Sequence, residues 1–115
     1  MRPVVPRQQV LFCRLEYSEL DIEETFRRLV EEWRTATLLS SSMTEMCMHP
    51  AYVRIIGLGR PVVPLLLREL LTNPDHWFWA LFAITGANPV NPSDAGDLAR
   101  MTEAWIRWGK THGYI

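Results

Sequence analysis

The sequence predicts an all-α fold, a compact bundle of about five helices. Three observations predict it. Apolar residues recur at helical spacing in several separate stretches. Prolines, glycines and short polar caps punctuate those stretches. No segment alternates with the period of two that marks a half-buried strand. At 115 residues the chain has the length of one domain and can bury one core.

Residues 1–20 read as an N-terminal arm, extended or without fixed structure, with a short strand or helical turn around Val10–Leu15 as the alternative. Residues 21–115 read as a single helical domain. Asp21 and Glu24 form a capping-box pattern, and Phe26, Leu29, Val30, Trp33 and Thr37 follow on one face. Glu23–Arg27 and Glu24–Arg28 are i,i+4 pairs in the favourable order. This first helix is expected to end near Leu39, at Ser40–Ser42.

Ser42 with Glu45 repeats the cap pattern ahead of a short helix. Pro50 then opens another helix, which Gly57 and Gly59 stop. Pro61 begins the run PVVPLLLRELL, apolar over much of its circumference. Asn73-Pro74 reads as a cap followed by a first helical residue, so HWFWALFAIT should be helical from Pro74 to Thr85. Ser93 is expected to cap the last helix, with Leu98, Met101, Trp105 and Trp108 on its buried stripe.

The HWFWALFAIT stretch carries the densest chemistry. Its apolar residues surround most of the helix axis, which predicts burial between neighbours. The alternative is that Trp79 or Trp77 projects as a binding anchor.

A formal net charge of −1 offers no bulk attraction to phosphate, so nucleic-acid binding would need a local patch. Arg54, Arg60 and Arg68 around the glycine corner are the nearest to one. His49, His76 and His112 lack the spacing of a metal site. The glycines of IIGLGR lack the GK[ST] of a phosphate loop. Cys13 and Cys47 show no CxxC pattern and sit among apolar residues, and the sequence leaves a disulfide between them open. No stretch reads as a signal peptide or membrane span, and a cytoplasmic protein is expected. No metal or cofactor is expected.

The run GLGRPVVPLLLREL, a break at TNPD, and HWFWALFAITG resemble one HEAT-like repeat. Gly59, Pro64, Leu65, Leu66 and Leu70 match its first helix, and Ala80, Leu81, Ala83 and Ile84 its second. Ile84-Thr85-Gly86 with Trp105 and Trp108 resemble the segment that follows a last repeat. From about Phe26 to Tyr114 the chain is also similar to a family of small uncharacterised bacterial proteins, through HPAY, IIGLG, LLREL, HWFWAL, ITG, NPV, AWIRWG and GY. The resemblance implies an antiparallel helix pair at the centre. It also implies a neighbouring gene for a small papain-like protein, with this chain as the regulatory or antitoxin-like subunit of a two-gene system. One hairpin cannot bury its own faces, so the Trp33 helix and the Trp105/Trp108 helix should close the bundle.

The leading functional expectation is a non-enzymatic interaction module. Its protein partner, or a second copy of the chain, would be contacted through Tyr52, Arg54, Arg60, Arg68 and Trp79. A nucleic-acid-binding accessory using the arginines near the glycine corner is the alternative. A small enzyme would have only Ser42, Glu45, His49 and His76 to work with.

Overall fold

A computed structural model describes residues 19–115. Its element order is α1 (Glu19–Thr37), α2 (Met43–Met48), α3 (Pro50–Gly57), a 3₁₀ turn at Arg60–Val62, α4 (Val63–Thr72), α5 (Phe78–Thr85), a second 3₁₀ turn at Pro92–Asp94, and α6 (Leu98–Thr111). The all-α bundle therefore stands, with six helices among the described residues. The arm expected over residues 1–20 lies outside them up to residue 18, and Glu19 and Leu20 already belong to α1.

Local chemistry sets the helix starts. The Ser42 hydroxyl accepts the Glu45 N–H at 3.2 Å and begins α2. His49 Nδ1 accepts the Ala51 N–H at 3.0 Å, and Pro50 follows as the first residue of α3. Asp97, not Ser93, caps α6, its carboxylate accepting the Arg100 N–H. Asn91 takes the Ser93 N–H in the preceding 3₁₀ turn, so the last helix starts four residues later than the sequence suggests. Gly86, at φ 74°, closes α5 in the left-handed conformation that glycine tolerates best.

The core forms where α1 lies on α3, α3 on α5, and α4 on α6. Direct packing of α4 on α5, the pair expected at the centre, is a smaller contact. Phe26, Leu29, Val30 and Trp33 of α1 meet Tyr52 and Ile55 of α3, Leu66 and Leu70 of α4, and Trp77, Ala80 and Leu81. Trp77 sits among aromatic rings, 4.5 Å from Trp33 and stacked on Tyr52 at 5.4 Å. The Trp33 indole donates to the Met46 carbonyl at 2.8 Å, tying α1 to α2. Gly109 lets α6 approach α4, since a Cβ there would lie 2.6 Å from Leu67 Cδ1.

One carboxylate belongs to this interior. Glu69 on α4 is 3% exposed and accepts from Arg27 at 2.8 Å and Arg34 at 3.0 Å. A buried charge needs such partners to offset lost hydration. The Arg27 guanidinium thus reaches across to Glu69 instead of one turn back to Glu23.

Candidate functional site

The segment between α4 and α5 decides which tryptophan faces water. Asp75 accepts the His76 N–H on its side chain and the Trp77 N–H on its backbone carbonyl. That turn uses the residues expected to be the first helical turn, so α5 begins at Phe78. The Tyr52 hydroxyl then accepts the Ala80 N–H at 3.0 Å and donates to the His76 carbonyl at 2.9 Å. A phenol from α3 thereby supplies the cap that no local side chain provides. Burial pushes the Tyr52 phenol well above its ordinary range, with Cys47 adding to the shift, so the group remains a donor. Burial also raises the Cys47 thiol, and its hydrogen bond with Tyr52 opposes that shift.

With the helix set in this way, Trp77, Ala80 and Leu81 point inward and are fully buried. Trp79 and Phe82 point outward, 50% and 40% exposed, with ring centroids 5.4 Å apart. The expectation that apolar residues all round α5 mean burial all round is corrected here. Among the described residues α5 packs on α3 and, less closely, on α4, and that packing leaves Trp79 and Phe82 uncovered.

Trp79 lines two adjoining, mainly apolar clefts, which together form the groove. On one side a cleft of about 490 Å³ is lined by Phe78, Phe82, Val90, Pro92, Met101 and Trp105, among others. On the other a cleft of about 290 Å³ is lined by Met43, His76, Phe78, Gly96, Leu98 and Met101. Phe78, Trp79 and Met101 belong to both. Met43 and Leu98 are themselves exposed large apolar residues, so α2, α5 and α6 contribute to one patch. Contiguous apolar surface of this kind, with half-exposed aromatic rings, is characteristic of binding surfaces.

The other expected contacts fall elsewhere. Tyr52 is 0% exposed, which corrects its place among surface contacts: its ring fills the core and its hydroxyl caps α5. Arg54 is exposed on α3 and lines none of the described clefts. Arg60 and Arg68 come together in a separate cleft of about 550 Å³ with Ile22, Glu23, Pro61 and Tyr114. Arg60 donates to the Tyr114 hydroxyl at 2.7 Å, and Glu23 brings a carboxylate to the same cleft. Of the five expected contacts the structure brings two arginines together and sets Trp79 apart from them.

Ser42 and His49 are occupied as helix caps, and His112 stacks on Trp108 at 4.5 Å with Nδ1 2.9 Å from the Trp108 carbonyl. No group of three or more His, Cys, Asp or Glu side chains able to hold a metal ion occurs among the described residues. No helix among the described residues is long and apolar enough to cross a membrane.

Sequence reasoning does not single out Phe78, Phe82 or Met43 as contacts, and it expects Leu98 and Met101 on the buried stripe of α6, which is corrected for Leu98, 38% exposed. The spacing of Phe82 from Trp79 was a usable signal, since residues three apart share a helix face. The exposure of Met43 and Leu98 follows only from tertiary placement. Neither a family model, nor a curated protein, nor a solved structure matches the chain.

Proposed function

We propose that the protein is a non-enzymatic protein–protein interaction module that receives its partner in the groove around Trp79. Following the family resemblance, it serves as the regulatory or antitoxin-like subunit of a bacterial two-gene system, and the partner is the neighbouring gene's product. The observation that carries this reading is the outward pair Trp79–Phe82, half exposed between two adjoining apolar clefts. An aromatic anchor of this kind gains the rest of its burial only when a partner arrives.

The test is a photo-crosslinking amino acid placed at position 79 in the native host, with one at the exposed Leu71 as the control. One discrete adduct at position 79, absent at 71 and lost on Phe82→Ala, is the expected result. Indistinguishable adducts at both positions, or none, would remove the reading. A low-salt gel shift abolished by Arg60→Gln with Arg68→Gln would instead move the function to nucleic acid and the other cleft.

A further inference from the structure

The cleft shared by Arg60 and Arg68 holds charges of both signs that do not pair with each other. Its volume of about 550 Å³ is that of a small-molecule site. Arg60 lines it from the 3₁₀ turn and Arg68 from α4, with Pro64 midway between them in the chain. At 1.5 Å per residue Pro64 lies roughly 6 Å along the axis from each, so one group seated over it is within reach of both side chains. Among the described residues neither guanidinium is paired with a carboxylate. Tyr114 fixes one of them. Its hydroxyl accepts from Arg60 at 2.7 Å, its ring stacks on Trp108 at 5.4 Å, and its N–H donates to the Gly109 carbonyl at 2.9 Å.

Glu23 brings the opposite charge to the same cleft from α1. Arg27, one turn further along that helix, is held by Glu69 at 2.8 Å and does not pair with Glu23. Neither Arg60 nor Arg68 forms an ion pair with Glu23 either. A carboxylate and two guanidiniums thus line one cavity with a gap between them. Ile22, Pro61, Pro64 and Leu65 give that cavity its apolar wall.

Each part of this lining has a counterpart in one kind of molecule. A carboxylate suits the two guanidiniums, which can hold it through parallel N–H···O bonds. An ammonium next to that carboxylate suits Glu23 and bridges the gap between the opposite charges. An apolar side chain suits the wall. A phosphate chain supplies no cation and leaves Glu23 facing negative charge. We infer that this cleft binds a free α-amino acid with an apolar side chain, at a site separate from the Trp79 groove.

The test is a titration of the full chain with L-leucine, followed through the backbone signals of Ile22, Arg68 and Tyr114 in nitrogen-edited proton spectra. Leucine should give saturable shifts with a dissociation constant of about 1 mM or tighter. Isocaproate lacks the ammonium, isoamylamine the carboxylate and glycine the side chain, and each should bind about tenfold more weakly. Glu23→Gln should remove the advantage of leucine over isocaproate. Arg68→Gln should weaken leucine and isocaproate while sparing isoamylamine, whereas damage to the fold would weaken all three together. Shifts that do not saturate with leucine would overturn the inference, as would isocaproate binding as tightly as leucine. An oligonucleotide that moves the same signals more strongly as its length grows would also overturn it and assign the arginines to nucleic acid. None of these outcomes bears on crosslinking at position 79, which reports on the other site.

Discussion

Three aromatic side chains illustrate how neighbours divide roles between similar residues. Tyr52 carries a hydroxyl with two backbone partners, at His76 and Ala80. Removing it by Tyr52→Phe leaves the Ala80 N–H without its acceptor, and urea unfolding should show a loss of about 2 kcal/mol. Its titration has a definite sign. The folded phenol lies above its unfolded value of 10.0, so the native state keeps a proton the unfolded chain releases. Stability is whole below that value and falls as pH rises through it, and the fall should be shallower in Tyr52→Phe. Trp33 and Trp77 are both fully buried, and among the described residues the Trp33 indole N–H has a partner while that of Trp77 has none. Trp33→Phe should therefore cost more than Trp77→Phe in the same unfolding assay, by about 1 kcal/mol. Neither the Tyr52 cap nor the orphan N–H of Trp77 was legible in the sequence, because each depends on a group dozens of residues away or on a group that is missing.

Between elements, two contacts fix the frame that presents the groove. Glu69 clamps α4 to α1 through Arg27 and Arg34. Glu69→Ala frees two guanidiniums that can turn to water, since Arg27 is the more exposed of the two and Arg34 is partly so. The expected cost is about 2 kcal/mol, below that of stranding a charge in a dry interior. Gly109 is the second. An added methyl there meets buried Leu67. Overpacking of about 1–3 kcal/mol exceeds the helix-propensity gain of about 1 kcal/mol, so Gly109→Ala should lower the melting temperature. The helices themselves were readable from spacing and caps, and α2 and α3 start at the residues their cap patterns named. Pro61, expected to open a helix, lies in the 3₁₀ turn and α4 begins at Val63; the starts of α5 and α6 also lie later than expected, for one shared reason. Where several Asp, Asn or Ser residues stand close together, more than one can satisfy the same backbone donors, and tertiary packing decides among them. Here Asp75 and Asn91 made turns of their own, and the helices began beyond them.

At the scale of the whole molecule, charge and apolar surface are separated. The clefts at Trp79 are lined mainly by apolar side chains, and Arg60 and Arg68 share a different cleft. Trp79→Ala tests that division, because Trp79 is half exposed and its partner Phe82 is nearly so. Its unfolding free energy should change by about 1 kcal/mol or less, while the adduct formed from a crosslinking residue at the neighbouring, cleft-lining Leu98 disappears. The site was half legible for the same reason. The sequence identified the aromatic cluster and offered Trp79 as an anchor, but an apolar helix gives no sign of which flank its neighbours leave bare. The solitary N–H of Trp77 carries one more consequence. In a nitrogen-edited proton spectrum the five tryptophans give five indole signals. That of Trp77, sealed but unbonded, should resonate upfield of the Trp33 signal and exchange slowly with heavy water, while that of Trp79 exchanges readily. A single spectrum thus holds an internal gauge of core integrity beside a probe of ligand arrival, with no dye attached to the chain.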